Sequence, residues 1–323
     1  LEIKDKKKFP LDKDLYPGDY VIDIAKIIIK NKTFTSYNNF IKIEKKLTSE
    51  SLKYSMQLII KNLKMLGVKH NSFIYESIIS KKILPKAIKN LKKKNYIYTG
   101  KLPAPKGDPQ SNWKSRNQLL FKSTLFGDDL DRPLQKEDGS WTYFGGDIAY
   151  HFHKVKRKFD VLINILGADH AGYIKRITSA TKALSDNNVN IICKVSQLVK
   201  LSKNGQPFKM SKRKGDYVTV EDLVNEVGKD SVRFMMLNRS NDAELDFDFE
   251  KVTEKSKDNP VFYVQYAYAR INSIFRILKI KLDKKIIIKN NEFVLNKYEI
   301  EILRKISEWP KCVDLASSKL EPH

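Results

Sequence analysis

Lys209-Met210-Ser211-Lys212 is followed directly by Arg213, Lys214 and Gly215, so five of seven consecutive positions are a cation or a glycine. Cations this close repel one another unless an anion is held among them. With Gly205 on one side and Gly215 on the other, an exposed loop of this kind can close over a polyphosphate. It can then set ammonium groups where charge builds on a departing pyrophosphate. That is chemistry for attack at an α-phosphate. A solvated cluster in a lysine-rich chain fits the same residues equally well, and four residues alone do not choose between the two.

Tyr143 and Asp147 stand four apart, which puts both side chains on one side if the turn between them is helical. A carboxylate accepts a planar guanidinium through two parallel hydrogen bonds, which an ammonium cannot imitate, and a neighbouring phenol suits the same group. On spacing alone an alternative stands: Asp147 caps a helix after Gly145-Gly146 and Tyr143 is half-buried packing. A third candidate is positional. The apolar run 161–166 ends at Gly167-Ala168-Asp169-His170 and a helical pattern continues over 173–184. A buried strand feeding a helix is the unit of a parallel α/β sheet, whose ligands gather at the carboxyl ends of strands. A capped strand-to-helix turn is the plain alternative. His70, His151 and His153 show no ligand-like arrangement and read as surface or internally satisfied histidines.

The elements that must position these groups can be read from periodicity. Helical spacing over 20–29 and 47–66, the latter ended by Gly67, predicts two surface helices. A third amphipathic stretch covers 75–94, and the prolines and glycine of Leu102-Pro103-Ala104-Pro105-Lys106-Gly107 make a loop. Strands are predicted over 118–121 and 134–144, the latter folded into a hairpin at Asp138-Gly139. Another strand is predicted over 191–201, with a turn at Asn204-Gly205. Helix resumes over 220–227 behind a Thr219/Asp222 capping box. Beyond Asp246 strand signals thin out. Val261, Val264, Tyr268, Ile271, Phe275 and Leu278 step by three and four and mark a helical core face. Tyr263, Tyr266 and Arg270 are left on another side, where they suit either RNA stacking or interhelical packing. The lysine-rich stretch 279–289 reads as a mobile loop.

A chain of 323 residues with 41% hydrophobic and 31% charged residues is long enough for two domains. No apolar run approaches the ~20 residues that cross a bilayer. Cys193 and Cys312 match neither a disulfide framework nor a zinc spacing, which predicts a reduced, cytosolic protein without structural metal. The net charge of +23 attracts polyanions, although lysine is abundant on plainly structural stretches too, so RNA binding and compositional drift both account for it. Leu1 and the polar residues after it read as a cut rather than a natural start, and Glu321-Pro322-His323 as an arbitrary end.

The run Lys209 through Gly215, with Val227-Gly228-Lys229-Asp230 and Arg233-Phe234 behind it, resembles the signature loop of class I aminoacyl-tRNA synthetases. Leu245-Asp246-Phe247-Asp248 and Asp258-Asn259-Pro260-Val261-Phe262-Tyr263-Val264-Gln265-Tyr266-Ala267 resemble the stem and first anticodon-domain helix of bacterial arginyl-tRNA synthetases. Phe126-Gly127-Asp128-Asp129, Trp141-Thr142-Tyr143-Phe144, Asp147-Ile148-Ala149-Tyr150-His151 and Gly167-Ala168-Asp169-His170 are similar to the same family, in its order. The resemblance covers nearly the whole chain. It weakens over 31–44 and 79–99, where no functional residue is carried over.

The resemblance implies an α/β fold: a partial Rossmann-like parallel nucleotide-binding sheet with helical insertions, then the start of an all-α anticodon-binding domain. The expected divisions are 1–240 (catalytic, incomplete at its N-terminus), 241–257 (stem) and 258–323 (truncated helical domain). The implied activity is ATP-dependent formation of arginyl-adenylate from L-arginine and transfer to tRNA-Arg, with bound tRNA required for activation. Tyr143 and Asp147 would hold the arginine, with Asp169 or His170 near the ribose. Gly167, Asp169, His170, Lys209, Met210, Ser211 and Lys212 would bind ATP, which brings Mg²⁺, and Lys209 and Lys212 would be catalytic. A cytoplasmic monomer without membrane contact is expected.

The family's second signature, a His-x-Gly-His motif, is absent from the five histidines, and Gly18-Asp19-Tyr20 looks like the segment just downstream of that motif in the family. Losing such a charge contact commonly costs a factor of about 10² or more in rate, so this piece alone is expected to be inactive or nearly so. Two other readings remain at this point: a truncated paralogue that binds tRNA or other RNA without catalysis, and an ATP-using ligase or synthetase for another amino acid. If Lys212 stabilises the leaving pyrophosphate, Lys212→Ala in the full-length protein lowers turnover by about 10² while raising the arginine KM far less. Steady-state kinetics checks this, and unchanged turnover removes the role.

Overall fold

The computed structural model describes residues 18–34, 39–103, 116–203, 205–207, 218–280 and 294–323. These divide between two compact units, one drawn from residues up to Lys69, Val199–Ser240 and Glu244 onward, the other from His70–Leu198 with Asn241–Ala243. Among the described residues no helix is long and apolar enough to cross a membrane.

The first unit opens with α1 (Asp19–Lys30) and α2 (Phe40–Met65), close to the helices the periodicity predicts. Gly67, at φ +70°, ends α2, and the Arg233 guanidinium donates to the carbonyl of Leu66 at 2.8 Å, satisfying one of the helix's free carbonyls.

In the second unit, α3 begins as Glu76–Ile78, passes through a π-helical turn at Ile79–Ile83 and continues as Leu84–Lys93. Pro85 has no N–H to close the α-helical ladder, which accounts for the widened turn just before it. Next come β1 (Ile97–Gly100), β2 (Gln118–Phe121) and β3 (Arg132–Pro133), an antiparallel sheet in that order. The hairpin expected over 134–144 shrinks to a single bridge, Gln135 to Trp141, around the Asp138-Gly139 turn. Tyr143 and Phe144 are not strand but the first turn of α4 (Tyr143–Lys156), because the Thr142 side chain caps the helix by accepting from the Gly145 N–H at 3.2 Å.

β4 (Val161–Gly167) pairs in parallel with β5 (Asn190–Ser196) through a 3₁₀ turn (Ala168–Tyr173) and α5 (Ile174–Ser185). This is the expected strand–turn–helix unit. The apolar run of β4 reads as buried on both faces, but only one face is covered: Leu162 and Asn164 are buried, whereas Val161, Ile163 and Ile165 are exposed. The core of the unit is made by Ile79, Leu84, Ile88 and Leu91 of α3 and by Phe121 of β2 with Leu134. Phe144 and Ile148 of α4 and Ala180 and Leu184 of α5 complete it.

The strand expected over 191–201 is broken. The N–H of Gln197 donates to the carbonyl of Asn241 at 2.9 Å, and the Asn241 amide donates to the carbonyl of Val195 at 2.7 Å. These bonds take the chain off the edge of β4, and β6 (Val199–Lys203) joins a separate sheet of the first unit. There β6 pairs antiparallel with β7 (Gln206–Pro207) and parallel with β8 (Leu245–Asp248). α6 (Val220–Val227) carries the predicted capping box, with the Asp222 N–H donating to Thr219 Oγ1 at 3.0 Å and the Thr219 N–H to Asp222 Oδ2 at 2.9 Å. Gly228, at φ +81°, turns the chain into α7 (Lys229–Leu237). Leu223, Val227, Val232, Leu245 and Phe247 form the core of this unit with Phe249 and Val252 of α8 (Phe249–Thr253).

α9 (Pro260–Ile277) starts at buried Asn259, whose amide donates to the carbonyls of Val252 and Glu254 and whose carbonyl accepts from the Val261 N–H. α10 (Lys297–Ser307) and α11 (Trp309–Lys319) come after it. The core face predicted along α9 is not buried: Val261 is, but Val264, Tyr268, Ile271 and Leu278 are exposed among the described residues. Residues 104–107 of the predicted proline loop, Asn204 and the stretch from 281 on of the predicted mobile loop lie outside the described residues.

α4 is tied to β4 by a buried polar chain. The His151 Nδ1 lies 2.8 Å from the carbonyl of Asp147, which can only accept, so Nδ1 carries the proton and Nε2 accepts from the Asn164 amide at 2.9 Å. The Asn164 oxygen accepts from Lys154 at 2.7 Å. Burial first, and then the Lys154 charge, push the His151 pKa down from 6.5 to about 4. The unfolded chain takes up this proton near pH 6.5 and the folded chain only near pH 4. The stability contribution is therefore complete above pH 6.5 and is lost as pH falls through about 4, amounting to roughly 3 kcal/mol. His151→Gln is expected to lower the thermal midpoint at pH 7.5 and to flatten its decline between pH 6.5 and 4. Thermal unfolding across that range checks it, and an undiminished decline in the variant contradicts the assignment.

Candidate active site

α4 has two faces that do different work. Phe144, Ile148, Ala149 and His151 go into the core, while Tyr143, Gly146, Asp147 and Tyr150 line a cavity of about 860 Å³ in the second unit. Thr142 starts the helix one residue before Tyr143, so Tyr143 and Asp147 stand one above the other on the cavity face. The alternative in which Asp147 caps a helix is overturned, because Thr142 holds that position and Gly145-Gly146 lie inside the helix. A β-carbon on Gly145 would approach the carbonyl of Leu134 to 3.2 Å and the Trp141 ring to 3.3 Å, so a side chain there would press both neighbours aside by a few tenths of an ångström.

The other walls come from separate elements. Ile74, Glu76 and Ile79 lie at the start of α3, Arg132 and Pro133 form β3, Leu166 lies near the end of β4, and His170, Tyr173, Arg176 and Ile177 belong to the next turn and α5. Asp147 is the half-buried carboxylate among them. Burial raises its pKa above the ordinary carboxylate range. A hydrogen bond from Tyr173 and the charges of His170 and Lys154 oppose that rise, and Glu76 adds to it. The Tyr173 phenol is in turn pushed up to about 12, by burial and then by the Asp147 charge, so it stays protonated.

Arg132 reaches the cavity because Asp128 holds it from behind. Its Nε and Nη2 donate to the two Asp128 oxygens at 2.8 and 2.7 Å, a bidentate pair whose carboxylate is fully buried. Ser123 and the Asp129 N–H also donate to that carboxylate, at 3.0 and 2.8 Å. Burial pushes the Asp128 pKa up, but the hydrogen bonds from Arg132, the Asp129 N–H and Ser123 outweigh it and leave the carboxyl below its ordinary range. The Phe126-Gly127-Asp128-Asp129 motif thus serves to seat a guanidinium.

Of the loop Gly167-Ala168-Asp169-His170, only His170 lines the cavity. The Asp169 side chain folds over Gly167, where a β-carbon would meet its Oδ1 at 2.6 Å, and Asp169 Oδ2 lies 3.5 Å from His170 Nε2. Both side chains are largely exposed. Lys209, Met210, Ser211 and Lys212 lie outside the described residues. Tyr143, Asp147 and His170 are therefore brought together, Gly167 and Asp169 adjoin them without lining the cavity, and Arg132, Tyr173, Arg176 and Glu76 were not picked out by sequence reasoning. The one available signal was the four-residue spacing of Asp128 and Arg132, which suits an ion pair. Among the described residues no group of three or more His, Cys, Asp or Glu side chains converges as for a metal.

With Asp147 and Glu76 against Arg132 and Arg176, and with apolar walls between, the cavity suits an amphoteric ligand that carries both a cation and an anion. Asp147 offers the planar acceptor for the cation.

A family model described as tRNA synthetases class I (R), catalytic domain, matches residues 25–275, and one described as a DALR anticodon binding domain matches 264–323. An arginine–tRNA ligase of Pelagibacter ubique is 58% identical over 324 residues, taking in 100% of this chain and 56% of its own length. One of Ehrlichia ruminantium is 46% identical over 315 residues, taking in 96% of this chain and 54% of its own length. The chain spans about half the length of the curated relatives it matches. A solved structure described as an arginyl-tRNA synthetase from Campylobacter jejuni is similar with a TM-score of 0.80 at 29% identity, covering 99% of this chain and 67% of that one. The arginyl-tRNA synthetase of Thermus thermophilus, at 17% identity and a TM-score of 0.64, covers 87% of this chain and 53% of that one and shares the fold.

Proposed function

The chain belongs to the class I arginyl-tRNA synthetase family, and on that premise we propose that the protein it forms part of is an arginine–tRNA ligase. The observation that carries this reading is the pairing of Tyr143 and Asp147 on the cavity face of α4, with the acceptor half-buried and opposed by cationic walls.

The guanidinium of L-arginine meets Asp147 through two parallel hydrogen bonds, with the Tyr143 phenol alongside. A lysine ammonium is a point donor and cannot fill both acceptors. The arginine carboxylate oxygen attacks the α-phosphate of ATP, the bond to the β-phosphate breaks, and pyrophosphate leaves with the bonding electrons. In the second step a terminal ribose hydroxyl of tRNA-Arg attacks the arginyl carbonyl, loses its proton, and displaces AMP.

Little covalent chemistry falls to the protein, since alignment and charge stabilisation suffice for such displacements. Lys209 and Lys212 stabilise the departing pyrophosphate, with Met210 and Ser211 in the same loop over the phosphates. Gly167, Asp169 and His170 face the nucleotide at the end of β4. Mg²⁺ enters with ATP as part of the substrate, and no side chain of the cavity is given to it. Tyr263 and Tyr266, exposed on α9, are available with Arg270 to stack on the tRNA. A monomeric, cytoplasmic enzyme fits this reading.

Truncating one member of a buried, hydrogen-bonded charge pair costs at least about 2 kcal/mol. Asp147→Ala in the full-length protein is therefore expected to raise the arginine KM about 30-fold or more and to leave the ATP KM within twofold. Aminoacylation kinetics with each substrate varied in turn checks it, and surviving arginine affinity removes the specificity assignment.

A further inference from the structure

Between Glu76 and Asp108 the sequence holds nine lysines and no acidic residue, and over most of that stretch the family resemblance assigns no function. Six of the nine belong to α3. Lys86, Lys89 and Lys93 step by three and four, and Lys82 stands four before Lys86, while Leu84, Ala87, Ile88 and Leu91 are buried on the opposite side. Lys81 and Lys92 flank the row, and all six are exposed. Among the described residues none of the six side chains makes an ion pair or a hydrogen bond. Lys94, next along the chain, is used differently: its ammonium donates to Asp186 at 2.8 Å and to the carbonyl of Ala183 at 3.2 Å.

Like charges one turn apart weaken a helix, and this face carries such pairs at 82 and 86, 86 and 89, and 89 and 93. The negative end of the helix compensates Lys92 and Lys93 in its last turn, but Lys81, Lys82 and Lys86 lie nearer the positive end. The abundance of lysine in the chain as a whole does not account for this segregation. α2 also carries six lysines, yet Glu44 and Glu50 lie among them. A cationic face with no counter-charge of its own is one that an external polyanion completes.

We infer that the outer face of α3 is a contact surface for the phosphate backbone of RNA. At the rise of a helix the row from Lys82 to Lys93 is about 16 Å long, and a strand of a nucleic-acid duplex sets a phosphate about every 3 Å of its axis, so the row faces about five phosphates. Ammonium groups are point donors, and this face carries no arginine fork and no aromatic ring with which to read or stack on bases. Contact is therefore independent of RNA sequence. An anionic membrane is the poorer match, because the apolar side of α3 that would enter it is already buried in the core of the unit. The inference rests on the ligase reading only for the kind of RNA, a tRNA.

The test combines Lys82→Gln, Lys86→Gln, Lys89→Gln and Lys93→Gln in the full-length protein, which keeps helix propensity and leaves the core side of α3 untouched. A companion variant with Lys42, Lys45, Lys46 and Lys64 of α2 each changed to Gln alters the net charge equally. Binding of tRNA-Arg and of an unrelated tRNA is measured from about 50 to about 200 mM salt. Each lost phosphate contact lowers the slope of log affinity against log salt by about one, so the α3 variant is expected to lose about three from that slope with both RNAs. Over that salt range the unaltered protein then gives up roughly 10²-fold more affinity than the variant. The KM values for arginine and ATP stay within about twofold. An unchanged slope, an equal fall in the α2 variant, or a fall confined to tRNA-Arg overturns the inference. So does lost binding to phosphatidylglycerol vesicles with tRNA binding intact. Aminoacylation by the unaltered protein separates the two levels. If it charges tRNA-Arg while the variant keeps its slope, only the α3 surface fails. If the slope falls but no charging occurs, the ligase reading fails and the surface stands.

Discussion

One short helix has to serve two masters. α4 must bury Phe144, Ile148 and Ala149 against α3 and α5 and still present Asp147 at the cavity. The chain of bonds from Lys154 to Asn164 to His151 to the carbonyl of Asp147 meets that demand, because each member has one possible donor direction and so permits one seating of the helix on β4. A histidine buried in this way must be neutral, since a second ring proton would face the Asn164 amide donor. The polar chain costs desolvation and gives specificity of placement: an apolar contact there would let α4 slide along β4, and Asp147 would move with it.

The same logic recurs at the cavity wall. The Asp128 carboxylate is fully buried and would be destabilising alone, but Arg132, Ser123 and the Asp129 N–H satisfy it, and the result is a guanidinium held rigidly at the cavity edge. Tyr173 is fixed comparably by Phe144 and Arg176. Charges of both signs thus face one space without neutralising each other, since each is anchored to its own element. Such an arrangement suits a ligand that is itself positive at one end and negative at the other.

In the other unit, the β6–β7 hairpin and the capped start of α6 flank the lysine-rich residues 208–217 in sequence. The Thr219/Asp222 box fixes where the helix begins, and Asn259 fixes the turn from α8 into α9 by bonding the carbonyls of Val252 and Glu254 before it and the Val261 N–H after it. α9 exposes the very residues, Val264, Tyr268 and Ile271, that its periodicity marks as a core face. Spacing records that a face is apolar, while burial depends on what lies against it.

Local rules were sufficient wherever the interaction spans a few residues. The helices at 20–29 and 220–227, the β4 strand–turn–helix unit, the capping box and the shared face of Tyr143 and Asp147 are all set by backbone geometry and side-chain spacing, which neighbours in sequence determine. Resemblance of short motifs then gave the family. What the sequence did not reveal was set by distant parts of the chain. The start of α4 at Tyr143 rather than a hairpin strand is set by the Thr142 cap on Gly145, and the Thr142 hydroxyl is itself held by donating to the carbonyl of Pro133 on β3. The break at Gln197 depends on Asn241. Arg132, Tyr173, Arg176 and Glu76 join Asp147 from other elements, and no periodicity encodes that meeting. Hydrogen bonds within a turn are local and legible in order along the chain, whereas a cavity exists only where separate elements pack, so its lining and its charge balance were decided by the tertiary structure.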